Sequence, residues 1–128
     1  MKLRIRDNSI RFRLTRSEVA QLQESYIVEA RTCFTFGVNQ TLFYQLEASI
    51  EESEIKASFQ NNTISVRIPR AEAIAWAKSE TIALLAEQAD SKLKILIEKD
   101  FACLKPRQNE VEDESDMYPH PNAASGHC

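Results

Sequence analysis

One stretch, Lys2–Tyr26 (KLRIRDNSIRFRLTRSEVAQLQESY), constrains the fold more than any other, because its pattern recurs 54 residues further on. Leu3 and Ile5 alternate with Lys2, Arg4 and Arg6, the period-two signature of a half-buried strand. Asp7-Asn8-Ser9 supplies turn chemistry, since Asp and Asn tolerate left-handed backbone and bond their own main chain. Alternation resumes with Ile10, Phe12 and Leu14 inward and Arg11 and Arg13 outward, so the two runs predict a β-hairpin. Thr15-Arg16-Ser17-Glu18 then fits a capping box, in which a hydroxyl and a carboxylate satisfy reciprocal backbone donors. The spacing predicts a short helix burying Val19, Leu22 and Tyr26, placed at i, i+3 and i+7. Strands over Ile27–Phe36 and Thr41–Ala48 complete a ββαββ unit.

Shifted by 54, Asp7-Asn8-Ser9 falls on Asn61-Asn62-Thr63 and Ile10 falls on Ile64. Arg13, Arg16, Glu18 and Ser25 fall on the identical Arg67, Arg70, Glu72 and Ser79. Phe12 and Leu14 become Val66 and Ile68, so the inward face stays apolar. Pro69 replaces Thr15, and both residue types suit a helix start. Ile74 and Trp76 mark the second helix face, and strands over Thr81–Glu87 and Leu93–Phe101 close the second unit. Units of about 50 residues bury too little core alone, so the two must pack together. The expectation is an α+β fold: a tandem duplication of a ββαββ unit (about 1–50 and 55–104) forming a pseudo-twofold, mostly antiparallel sheet or open barrel with two short helices. Periodicity stops at Lys105, and residues 105–128 read as an acidic flexible tail outside a single 1–104 domain.

Composition removes several functions. Only two glycines, Gly37 and Gly126, occur among 128 residues, which excludes Gly-rich phosphate loops. No run approaches the roughly 18 apolar residues of a membrane span. The basic N-terminus is not followed by the apolar stretch of a secretory signal, so a cytoplasmic protein is expected. Three cysteines, Cys33, Cys103 and Cys128, are an odd number without regular spacing, and reduced thiols are expected. Cys33 is expected to pack as a small hydrophobe in its strand. The net charge of −3 divides into +2 over residues 1–50, −2 over 51–103 and −3 over 104–128. Residues 1–16 alone hold six Lys/Arg against Asp7, so an anionic partner should meet the N-terminal end.

The candidate chemistry follows that gradient. Lys2, Arg4, Arg6, Arg11 and Arg13 point to one side of the predicted hairpin, with Arg16 just beyond. Like charges across a strand pair repel, so either an anionic partner or the acids of the second unit must offset them. These six residues are the candidates for binding an anion or nucleic acid. In the tail, Glu110, Glu112, Asp113, Glu114 and Asp116 beside Tyr118 form a candidate interaction segment, for the basic hairpin or for another protein. Cys103, His120, His127 and Cys128 are weak metal candidates, because their spacing matches no compact zinc pattern. Both histidines lie in the tail, so no catalytic arrangement and no cofactor is implied. The leading reading is a non-enzymatic binding or adaptor module with an anionic or protein partner and no membrane role. A DNA-binding regulator or antitoxin-like protein is the alternative, and a small enzyme or metal-binding protein comes third.

The opening KLRIRDNSIRFRLTRSEV resembles that of a family of small uncharacterised bacterial proteins, a domain of unknown function, over most of the chain. That resemblance implies no activity. Arg6 to Leu14 with the helix after Thr15, and Asn61 to Ile68 with Pro69, also resemble the swapped-hairpin units of AbrB-like regulators and MazE-like antitoxins. This second resemblance implies a phosphate or base-edge role for Arg4, Arg6, Arg11 and Arg13, and a toxin-binding role for an acidic tail.

Overall fold

β1 (Lys2–Arg6) and β2 (Ser9–Leu14) form the predicted hairpin, with Leu3 opposite Phe12 and Arg4 opposite Arg11. The structure, a computed structural model, describes residues 1–37 and 39–101, together with Asp116 and Tyr118. The capping box is present: the Thr15 hydroxyl accepts from the Glu18 backbone N–H, and the Glu18 carboxylate accepts from the Thr15 N–H at 2.9 Å. It starts α1 (Arg16–Ser25), which buries Val19 and Leu22. Tyr26 does not join that buried face. It is the C-cap, with φ 65 and its N–H donating to the Leu22 carbonyl, and it is 37% exposed. The left-handed turn that ends the helix swings its ring off the core-facing stripe.

The chain continues through β3 (Ile27–Cys33), β4 (Thr41–Ser49), β5 (Lys56–Gln60) and β6 (Thr63–Pro69). Asn61 and Asn62 both take positive φ, as a tight two-residue hairpin turn requires. Next come α2 (Arg70–Lys78), which buries Ala73 and Trp76, then β7 (Ala83–Glu87) and β8 (Lys94–Lys99). β3 stops three residues short of the predicted Phe36. Cys33 is exposed at its end, on the outward face with Glu29 and Arg31, and its thiol donates to the Thr35 carbonyl at 3.4 Å. It is therefore not a packed hydrophobe.

Among the described residues the fold is α+β, with two helices and eight strands, and those strands form neither one sheet nor a barrel. They make two separate, mostly antiparallel sheets of order β1-β2-β8-β7 and β3-β4-β6-β5. Each sheet combines two hairpins through one central parallel pairing, β2 with β8 and β4 with β6. The helices explain the split, because each carries the chain from a strand of one sheet to a strand of the other. The β3–β4 hairpin thus takes its parallel neighbour from the hairpin that follows it, β5–β6, whereas β1–β2 takes its own from the last hairpin, β7–β8.

The inner faces of both sheets feed one core, where Phe12 and Tyr44 meet at 6.4 Å between ring centres. Leu14, Leu46, Val66, Ile68 and Ile97 are fully buried there. The helices pack on each other, α1 against β2, β3 and β4 and α2 against β4 and β6, closing one end of the core with Leu22 and Trp76. Among the described residues, no helix is long and apolar enough to cross a membrane.

Glu18 joins the helix start to the chain's first residue, since its carboxylate also contacts the Met1 ammonium. Burial raises the pKa of Glu18, but the ammonium and the Thr15 donors outweigh it and hold the carboxyl below its usual value. A depressed folded-state pKa gives stability that is present at neutral pH. It is lost as pH falls from the ordinary glutamate value of about 4.3 through the lower folded value. Glu18→Gln is therefore expected to cost about 1 kcal/mol at pH 7 and to converge on the parent in acid. Thermal midpoints between pH 7 and pH 3 check this, and a gap that stays constant with pH would contradict it.

Candidate anion-binding face

The outward face of the β1–β2–β8–β7 sheet is built by strand register. Lys2 stands opposite Arg13 and Arg4 opposite Arg11, while Arg13 neighbours Glu98 and Arg11 neighbours Leu96 on β8. Five cationic side chains thus share one side of a hairpin, as the alternation requires. Lys2, Arg4 and Arg6 are exposed, whereas Arg11 and Arg13 are half-buried.

Two carboxylates set the electrostatics. Glu98 is only 4% exposed although it lies on the outward face, because the guanidiniums of Arg11 and Arg13 cover it. Arg13 Nε donates to Glu98 Oε1, and Arg11 Nε lies 3.8 Å from the same oxygen. Lys2 Nζ pairs with Asp100 at 3.0 Å, just past the end of β8. So acids of the second half do offset part of the basic hairpin, and they also fix its geometry. Two guanidiniums held over one buried carboxylate have lost most of their rotamer freedom in advance, which lowers the entropy cost of binding an anion beside them. Lys2, Leu3, Arg4, Arg11 and Arg13 line a shallow depression of about 340 Å³ on this face.

The six predicted cations do not form one site. Arg6 sits exposed at the end of β1, beside the turn. Arg16 opens α1 and lines a different cleft at the helical end of the core. Asp116 and Tyr118 are exposed, while Glu110, Glu112, Asp113 and Glu114 lie outside the described residues, as do Cys103, His120, His127 and Cys128.

Sequence reasoning missed Glu98 as the shared counter-ion. Its signal was available: an acid at an outward position of a strand otherwise reading Ile95, Leu96, Ile97. Also missed was an apolar mouth of about 540 Å³ between the sheets, lined by Ile5, Ile10, Leu42, Phe59, Ile64 and Leu93. Ile5, grouped with Leu3 on one face by alternation, is 60% exposed, as is Phe59 at 69%, because among the described residues no helix lines this mouth.

On the outward face of the other sheet, Lys56, Ser58 and Gln60 on β5 stand opposite Arg67, Ser65 and Thr63 on β6. Arg67 pairs with Glu47 at 3.5 Å and with Glu52 at 3.6 Å, so no comparable cationic surface arises there.

No curated protein and no solved structure matches the chain. The sequence model of one family, described as "Family of unknown function (DUF7009)", matches residues 1–122. That span takes in both hairpin-and-helix segments and the whole cationic face, and the chain belongs to this family.

Proposed function

We propose that this is a cytoplasmic, non-enzymatic binding module that holds an anionic partner on the outward face of β1–β2. The observation that carries the reading is the Arg11–Glu98–Arg13 arrangement flanked by the exposed Arg4 and Arg6. The buried carboxylate orders the cations while leaving them in excess on that face. Phosphate groups suit planar guanidiniums best, so a nucleic acid or a phosphorylated partner is the favoured ligand class.

The same reading takes the chain as a duplicated ββαββ unit in which one copy kept the cationic face. Matching registers support this. Lys2 faces Arg13 as Lys56 faces Arg67, and Ser9 neighbours Lys94 as Thr63 neighbours Phe43. The Arg13–Glu98 pair likewise has its counterpart in Arg67–Glu47.

Titrating duplex DNA and a phosphorylated peptide at increasing salt tests the proposal. Binding should weaken steeply with salt, and Arg4→Ala with Arg6→Ala should lower the slope by about 1–2 phosphate equivalents. Those two arginines are chosen because Arg11 and Arg13 also hold Glu98. No detectable binding of either ligand at low salt, or an affinity indifferent to the double substitution, rules the surface out.

A further inference from the structure

A cleft of about 830 Å³ opens at the helical end of the core, between α1, the exit of α2 and the end of β8. Leu14, Val19, Ala77 and Ile82 supply apolar lining, with Arg16 and Glu80 among its polar residues. Its volume lies within the range of small-molecule sites, about 300–1,000 Å³. It is remote in chemistry from the β1–β2 face, since of the six predicted cations only Arg16 lines it.

The other helix shows what such a place can hold. Arg70 opens α2 as Arg16 opens α1. The Arg70 guanidinium lies 3.7 Å from the centre of the Tyr26 ring, and its Nε donates to the Ala48 carbonyl at 3.3 Å. Tyr26 leads from α1 into β3, and its carbonyl accepts from the Ala48 N–H at 2.8 Å. Ile82 leads from α2 into β7, and its carbonyl accepts from the Lys99 N–H at 3.0 Å. By this backbone bonding, Ile82 holds the position at the exit of α2 that Tyr26 holds at the exit of α1. Arg16 and Ile82 line the same cleft, so this end has the guanidinium but a branched aliphatic side chain where the other end has a ring.

The surrounding charges narrow the ligand. Arg16 and Lys99 are matched by Glu80 and Asp100 in the lining, which disfavours a charged occupant. Lys99 Nζ is engaged by the carbonyls of Trp76 and Ser79 at 2.9 and 2.6 Å, and Asp100 by Lys2 at 3.0 Å. We infer that the cleft binds an uncharged planar aromatic ligand, its ring stacked on the Arg16 guanidinium and a ring N–H or O–H donated to the Glu80 carboxylate. Phenolic, indole and nucleobase rings all meet that description, because each offers a π face and a donor.

The test titrates p-cresol, indole and adenosine into the full chain and follows backbone amide shifts at Val19, Ala77 and Ile82. At least one ligand should saturate with a Kd of about 1 mM, weak because a single stack on one guanidinium adds only modestly to the apolar area the ring covers. Arg16→Ala should weaken it about tenfold, and Arg16→Lys nearly as much, because lysine keeps the charge but loses the plane. Ile82→Tyr should abolish binding and raise the melting temperature by filling the cleft from within. Benzoate, similar in size but anionic, should bind about tenfold more weakly than p-cresol, since with its ring stacked on Arg16 its carboxylate meets the like charge of Glu80 and has no proton to donate there. The inference fails if none of the three saturates, if Arg16→Ala binds like the parent, or if benzoate equals p-cresol. Arg4→Ala with Arg6→Ala should leave these titrations unchanged, which separates this site from the anion-binding face.

Discussion

Replacing Glu98 with alanine is expected to cost about 3–5 kcal/mol of folding stability, the scale for breaking a buried charge pair from one side. The carboxylate is 4% exposed and receives both Arg11 and Arg13, so its loss leaves two half-buried guanidiniums side by side. Glu98→Gln keeps the shape and some hydrogen bonding and should cost less, about 2–3 kcal/mol. Urea denaturation with an unchanged m-value measures both. The pair also separates the structural from the binding role of the arginines. In Glu98→Gln the face gains one net positive charge, so anion affinity and its salt slope should rise even as stability falls. A parallel fall of stability and anion affinity would mean that the carboxylate's ordering of the arginines matters more than the charge it cancels.

Trp76→Ala should be comparably severe, at about 3–5 kcal/mol. Trp76 is the largest of the fully enclosed side chains at 2% exposure, and it joins α2 to the segment before β7 by donating from Nε1 to the Ile82 carbonyl at 3.2 Å. Lys99 Nζ also lies 5.3 Å from the ring centre. Trp76→Phe keeps most of the apolar volume and forfeits only that donor and part of the ring, so about 1–3 kcal/mol is expected. Denaturation midpoints for the two variants decide the matter. If phenylalanine costs as much as alanine, the hydrogen bond rather than the packing dominates.

What could be read from the sequence was whatever depends on neighbours along the chain. Alternation in Lys2–Leu14, the Asp7–Ser9 turn and the Thr15–Glu18 cap are local, and each appears where periodicity and turn chemistry put it. Pairings between distant segments were not legible. Nothing in Ile10–Leu14 or Ile95–Lys99 announces that these strands lie parallel, because both are simply apolar on one face. Hence one eight-stranded sheet or barrel was expected where two sheets occur. The site divides in the same way. The facing of Arg4, Arg11 and Arg13 follows from strand period, whereas the covering of Glu98 depends on the β2–β8 pairing. Tyr26 was expected on the buried helix face because periodicity alone carries the helix straight on, whereas a left-handed C-cap turns the chain there.

The pairing of β2 with β8 also bears on how this chain can acquire its fold during synthesis. Ser9 neighbours Lys94, so the N-terminal hairpin cannot gain its central sheet partner until almost all of the described chain has left the ribosome. Until then the apolar side of Leu3, Ile10 and Phe12 has only a two-stranded ribbon behind it, which is at best marginal in water. The β4–β6 pairing spans far less chain, from Phe43 to Thr63, and can form earlier. Vectorial folding would therefore build the second sheet first and leave the cationic hairpin as the last element captured. Over that interval the hairpin offers an unpaired strand edge, and the like charges of its outward arginines oppose edge-to-edge pairing of nascent chains.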